Sequence, residues 1–133
     1  MNAAAKPAFT VDAFENGAID PDTFDHRAHV YVAWLYLDRF PLLEAIAKFD
    51  AALRRLTASL GIPGKYHATI TWFFMMLIAE RRDAVPDSDW FRFRRDNDDL
   101  VGNGKILQCY YDSETLASDR ARQSFVLPDK LAA

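Results

Sequence analysis

DHRAHVYVAWLYLDR at residues 25–39 and GKYHATITWFFMMLIAERR at residues 64–82 are the two most apolar stretches of the chain. Within the first, residues 28–37 are interrupted only by His29, and within the second, residues 68–79 carry Thr69 and Thr71. Each run is shorter than the roughly 20 residues that cross a bilayer, and charged residues follow each of them. The two stretches therefore predict core helices that other helices surround.

The residues around these stretches predict where the helices begin and end. Asp20 can cap a helix that Pro21 opens and that ends before Pro41. After Pro41 the apolar residues follow a 3.6-residue period, and Gly61 and Gly64 end that helix before the second apolar stretch. The predicted helices cover residues 23–39, 42–60 and 66–82, a shorter segment from a cap at 87–88 to residue 98, and residues 106–111 and 113–124.

Length and composition are typical of one folded domain. The chain has 133 residues, of which 50% are hydrophobic and 14% aromatic, and this composition excludes general disorder. No stretch alternates apolar and polar residues with the period of two that strands require. We predict an all-α fold, a single-domain helical bundle of five to six helices over residues 21–129. Residues 1–20 are expected to form a mobile N-terminal arm and residues 130–133 a C-terminal tail.

Charge and cysteine content restrict the partners. A formal net charge of −3 gives no overall attraction to phosphate backbones, so we expect no nucleic acid partner, and the short apolar runs predict no membrane partner. Cys109 is the only cysteine and cannot form an internal disulfide, which suits a reducing compartment. We therefore predict a cytoplasmic location and a small-molecule substrate or ligand, with a homodimer left open.

The three histidines are the sharpest functional signal. His26 and His29 are three residues apart and share a helix face, and His67 opens the second apolar stretch. If the two intervening turns reverse the chain, the first and third helices begin at the same end, and the three imidazoles converge. Three imidazoles with open positions can hold a divalent metal such as Zn or Fe, with Asp25 as a fourth ligand or as an orienting group, a role that a carboxylate at residues 96–99 can also fill. We therefore predict a small metal-dependent enzyme whose metal ligands are His26, His29 and His67.

Other interpretations of the same residues stay open. In a metal-free enzyme or binder, His29 or His67 would act as an acid–base group, while Lys65, Tyr66 or Arg122 would contact an anionic substrate. The histidines could instead be structural, and the chain could be a non-catalytic helical interaction protein. The catalytic residues and the reaction type are not predicted by any of these patterns.

Three motifs carry a resemblance to a group of proteins. They are DHRAHV with Ala33-Trp34 after it, GKYHATIT at residues 64–71, and Arg120-Ala121-Arg122 followed by FVLPD at residues 125–129. In combination they resemble small bacterial all-helical proteins of unknown function, over about residues 20–129. The resemblance implies a compact helical domain and again singles out the three histidines, but it brings no activity, substrate or metal with it.

Overall fold

Three long helices and a set of shorter ones make up the part of the chain that the computed structural model describes, residues 9–130. The predicted all-α class is confirmed, because these residues contain no strand. They form more helices than the five to six expected, and two 3-10 helices connect them, at Pro63–Lys65 and Lys105–Cys109. The α-helices are α1 (Val11–Glu15), α2 (His26–Arg39), α3 (Leu42–Ser59), α4 (Ala68–Ala84), α5 (Trp90–Asp96), α6 (Asp98–Val101), α7 (Ser113–Ala117) and α8 (Asp119–Gln123).

Helices α2, α3 and α4 pack against one another and contain most of the core. The short turns between them reverse the chain twice, so α2 and α4 run the same way. An ion pair between Arg82 and Asp38, with N and O 2.9 Å apart, joins their C-terminal ends. None of the helices in residues 9–130 has both the length and the apolar character that a membrane crossing requires.

Two helices begin later than predicted because a different residue caps each of them. Residues 20–23 form a turn in which the Asp20 carboxylate accepts from the Asp22 N–H, and α2 starts only at His26. Its cap is Asp25, whose Oδ1 accepts from the Ala28 N–H at 2.9 Å. Helix α4 starts at Ala68 because the residue before it, His67, supplies the cap.

The mobile N-terminal arm predicted for residues 1–20 is wrong for residues 11–19, because α1 and Ile19 belong to the folded unit. Phe14 is 1% exposed and stacks on Phe49, with ring centroids 5.2 Å apart. The buried Tyr36 hydroxyl donates a hydrogen bond to Glu15 at 2.5 Å. The rest of the predicted arm, residues 1–8, lies outside the described residues, as do residues 131–133 of the predicted tail.

The C-terminal third contains shorter helices than predicted. The helix expected at residues 113–124 is interrupted at Ser118, whose backbone is extended with φ −71° and ψ 149°, and whose hydroxyl caps α8. The segment expected to end near residue 98 is α5, and its cap is Asp89 instead of residues 87–88. The short helix expected at residues 106–111 is a 3-10 helix, and it covers residues 105–109.

Thr69 holds this C-terminal segment against the start of α4. Its fully buried hydroxyl oxygen lies 2.7 Å from the Ala121 carbonyl oxygen and 2.9 Å from that of Ser124, and it accepts from the Val126 N–H at 3.1 Å. Because buried polar groups are costly unless they are paired, these contacts fix the segment in place. The position of the first turn of α4, where His67 lies, is fixed with it.

Candidate functional site

A cleft of about 450 Å³ opens where the N-terminal ends of α2 and α4 meet the C-terminal half of α3. All three histidines line this cleft. The predicted site residues Asp25, Lys65 and Tyr66 line it as well. Most of its other walls are apolar side chains, among them Phe24, Leu53, Leu56, Leu60, Ile62 and Ile70.

His67 is held at the cleft by both of its ring nitrogens. Nδ1 accepts from the Ile70 N–H at 3.2 Å and thereby caps α4, and Nε2 lies 2.7 Å from the Leu116 carbonyl oxygen. A nitrogen that accepts carries no proton, so the proton is on Nε2, which donates to Leu116. His67 is therefore an uncharged imidazole with no free ring nitrogen, and it connects the start of α4 to α7.

His26 is oriented by the segment that follows α5. Its Nε2 lies 2.9 Å from the Leu100 carbonyl oxygen, so a backbone carbonyl takes the orienting role predicted for Asp25 or for a carboxylate at residues 96–99. The Phe74 ring meets the imidazole edge-on, with centroids 5.2 Å apart. On another side lies Gly104, where an added Cβ would be 2.9 Å from Cε1 of the ring.

Replacing Gly104 by alanine tests this packing. With φ at 72°, the position is in the left-handed region, which costs a residue with a Cβ about 1–2 kcal/mol. The new methyl group also pushes the His26 ring away from Leu100, so we expect a larger loss of unfolding free energy in denaturant titrations. Gly61→Ala is the matched control, because Gly61 has φ 74° and open space around its Cβ position. Equal losses in both variants would contradict the described contact.

His29 differs from the other two histidines in its hydrogen bonding. Its ring is half-buried between Phe24 and Phe49, each with its centroid 5.3 Å from that of the imidazole. Among residues 9–130, neither of its ring nitrogens has a hydrogen-bond partner. The side chain also borders a small second cavity of about 10 Å³, which has room for one water molecule at most. His29 thus separates the open cleft from the core.

The surroundings of His29 keep its imidazole uncharged. Burial is the larger cause and the neighbouring His26 the smaller one, and together they lower the pKa of His29 from 6.5 to about 4. At neutral pH the ring therefore carries one N–H donor and one nitrogen acceptor, both unused within the described chain. Of the three histidines in the cleft, it has the most hydrogen-bonding capacity left for a ligand.

Of the other predicted site residues, three already form hydrogen bonds within the protein and one has no described partner. The Asp25 carboxylate caps α2, the Tyr66 hydroxyl donates to Asp50, and Arg122 lies away from the cleft lining and donates to the Gly64 carbonyl at 3.0 Å. Arg122 therefore secures the turn before α4 instead of facing a substrate in the cleft. Lys65 is exposed, and its ammonium forms no ion pair or hydrogen bond with a described residue.

Asp50 was not predicted, although it organises one side of the cleft. Its Oδ1 accepts from the Tyr66 hydroxyl and, at 3.1 Å, from Trp72 Nε1, while Oδ2 pairs with Arg54 at 2.9 Å. The Arg54 guanidinium lies 4.1 Å from the Tyr66 ring centroid. A signal was present in the sequence, since Asp50 is an acid next to the buried face of an amphipathic helix. Its partners Tyr66 and Trp72 lie outside α3 and could not be read from that pattern.

We expect Asp50→Ala to destabilise the protein by about 1–3 kcal/mol, because it leaves the buried Tyr66 hydroxyl without an acceptor. The Tyr66 and His67 signals in an NMR spectrum should move as well. Asp83→Ala is the control, since Asp83 is exposed and its carboxylate has no described partner, and it should change stability by less than about 0.5 kcal/mol. Equal effects in the two variants would contradict the claim that Asp50 holds Tyr66 in place.

The predicted metal centre requires several ligand side chains around one ion. Among residues 9–130, no group of three or more His, Cys, Asp or Glu side chains is placed to hold a metal ion together. His67 would have to give up a hydrogen bond before it could ligate one. A shared cleft for the three histidines is therefore described, while their role as ligands to one metal stays a prediction.

Comparisons of the chain with protein family models, with curated proteins and with solved structures find no match.

Proposed function

We propose that the protein binds a small organic molecule in the cleft and that the uncharged His29, without a metal, is its hydrogen-bonding group. One observation carries this proposal: His29 faces an apolar-walled cleft with neither ring nitrogen bonded to a described residue. The cleft volume of about 450 Å³ falls within the roughly 300–1,000 Å³ typical of small-molecule sites. An apolar cleft with a few convergent polar groups is the usual form of such a site.

The chemistry available to His29 follows from its uncharged state. Its bare nitrogen can accept a hydrogen bond from an O–H or N–H group of the ligand, and its N–H can donate to a ligand oxygen, at the usual distances of about 2.6–3.2 Å. The two neighbouring aromatic rings fix the plane of the imidazole. Those rings and the apolar walls exclude water, which strengthens a hydrogen bond between His29 and a ligand.

NMR titration of the protein with a set of small organic molecules tests the proposal. Ligands should shift the amide signals of cleft residues such as Leu56 and Ile70. His29→Phe, which keeps an aromatic ring but removes both nitrogens, should weaken binding about ten-fold or more while circular dichroism shows unchanged helicity. Shifts that map away from the cleft, or binding that His29→Phe leaves unchanged, would contradict the proposal.

A metal-dependent enzyme with a divalent metal, Zn or Fe, on His26, His29 and His67 is the second candidate. The shared cleft and the uncharged His29 favour it, because imidazole binds metals in its neutral form. Equilibrium dialysis against Zn²⁺ or Fe²⁺, followed by elemental analysis, distinguishes the two candidates. One tightly bound ion per chain that His67→Ala removes would support the metal enzyme and contradict the metal-free proposal.

A further inference from the structure

Two charged side chains, Lys65 and Asp25, line the cleft. Lys65 ends the 3-10 helix at 63–65, and the residues on both sides of it are fixed. Gly64 accepts from Arg122 at 3.0 Å, and the hydroxyl of Tyr66 donates to Asp50. The backbone of Lys65 is thus held at the edge of the cleft while its ammonium remains without a described partner.

The Asp25 carboxylate is already used by the fold. Its Oδ1 accepts from the Ala28 N–H at 2.9 Å, and the carboxylate lies at the N-terminal end of α2, where the helix dipole offsets negative charge. Lys65 has no comparable neutralising contact with any of residues 9–130. The charge in the cleft that a ligand can still neutralise is therefore positive.

The remaining walls suit an apolar ligand body. Leu56, Leu60, Ile62 and Ile70 line the same cleft as Lys65, and none of them offers a polar side-chain atom. A hydrocarbon body gains about 25 cal/mol for each Å² of apolar surface that leaves water. A ligand that satisfies both parts of the cleft has one anionic group and a compact apolar body.

Resting on the proposed function, we infer that the ligand belongs to the class of small carboxylic acids with an apolar or aromatic body. Its carboxylate pairs with the Lys65 ammonium at the edge of the cleft, and its body lies against the leucine and isoleucine walls. In this orientation the part of the ligand opposite the carboxylate is directed to His29. Lys65 is thus the residue that selects the charge of the ligand.

Phenylacetate, phenylacetamide and phenethylamine test this inference, because they share an apolar body and carry a negative, zero and positive charge. We expect phenylacetate to bind about ten-fold more tightly than phenylacetamide in NMR titrations, and phenethylamine to bind most weakly. Added salt should reduce this preference, since an exposed ion pair is screened.

Variants of Lys65 identify the source of the preference. Lys65→Gln should reduce phenylacetate binding to the level of phenylacetamide, leaving phenylacetamide binding unchanged, and Lys65→Arg should retain most of the preference. Lys48→Gln removes the same charge outside the cleft, where Lys48 packs over the Phe40 ring, and should change nothing.

The outcomes separate this inference from the proposed function. If phenylacetamide or phenethylamine binds in the cleft as tightly as phenylacetate, or if Lys65→Gln has no effect, the carboxylate inference is overturned and the proposed function stands. If none of the three probes shifts the signals of cleft residues while other small molecules do, the inference fails alone. If no small molecule shifts the signals of cleft residues, the inference and the proposed function both fail.

Discussion

Replacing Phe49 by alanine should destabilise the protein by about 3–5 kcal/mol, the usual cost of removing a buried phenylalanine ring. Phe49 is 1% exposed and contacts three aromatic rings. It stacks on Phe14, meets Tyr36 edge-on and stacks on His29 from the core side, with centroid distances of 5.2, 5.4 and 5.3 Å. The loss therefore includes both apolar burial and ring–ring contacts that join α1, α2 and α3.

Phe91→Ala is the matched control, because the same side chain is removed from a position that is 76% exposed. We expect it to change the unfolding free energy by less than about 0.5 kcal/mol. Urea titrations of both variants provide the measurement. Similar losses in the two variants would show that Phe49 is not the aromatic centre of the core.

Lowering the pH from about 7.5 to about 5 should destabilise the protein by roughly 2 kcal/mol through His29 alone. Burial, with a smaller contribution from His26, lowers the pKa of His29 from 6.5 to about 4 in the folded state. Between these two values the unfolded chain binds a proton that the folded chain does not. The unfolding free energy therefore has its full value above pH 6.5, and the part that depends on a neutral His29 is lost as the pH falls toward 4.

The variant His29→Gln isolates this effect, since glutamine keeps polar atoms but does not titrate. Urea titrations of both proteins at the two pH values should show a loss that is about 2 kcal/mol smaller for the variant. Carboxylates contribute equally to both proteins and cancel in the difference. An identical pH dependence for the two proteins would mean that His29 is not kept neutral by the fold.

The long helices could be predicted from the sequence because local signals agree with the tertiary structure. The apolar runs, Pro41 and the glycines at 61 and 64 give the bounds of α2, α3 and α4 to within three residues. Helix α1 has only five residues, too few for a period to show, and it is stabilised by the packing of Phe14 on Phe49. The interruption at Ser118 likewise has no proline or glycine to mark it.

The location of the candidate site could be predicted from the sequence, but the hydrogen bonds of its histidines could not. Two chain reversals bring His26, His29 and His67 to one cleft, and helix direction is sufficient to predict this. The carbonyl groups that fix His67 and His26 belong to Leu116 and Leu100, which are 49 and 74 residues away along the chain. No local pattern predicts such contacts, so the free state of His29 and the engaged state of His67 could be seen only in the fold.

The central claim is that His29 is an uncharged imidazole that contacts a ligand in the cleft. The most direct measurement is the NMR titration of its ring nitrogens, in the free protein and with saturating phenylacetate. We predict that free His29 stays neutral down to about pH 4, and that at pH 7 phenylacetate moves its signals more than those of His26 and His67. A free imidazole that titrates near pH 6.5 and does not respond to ligands bound in the cleft would contradict the claim.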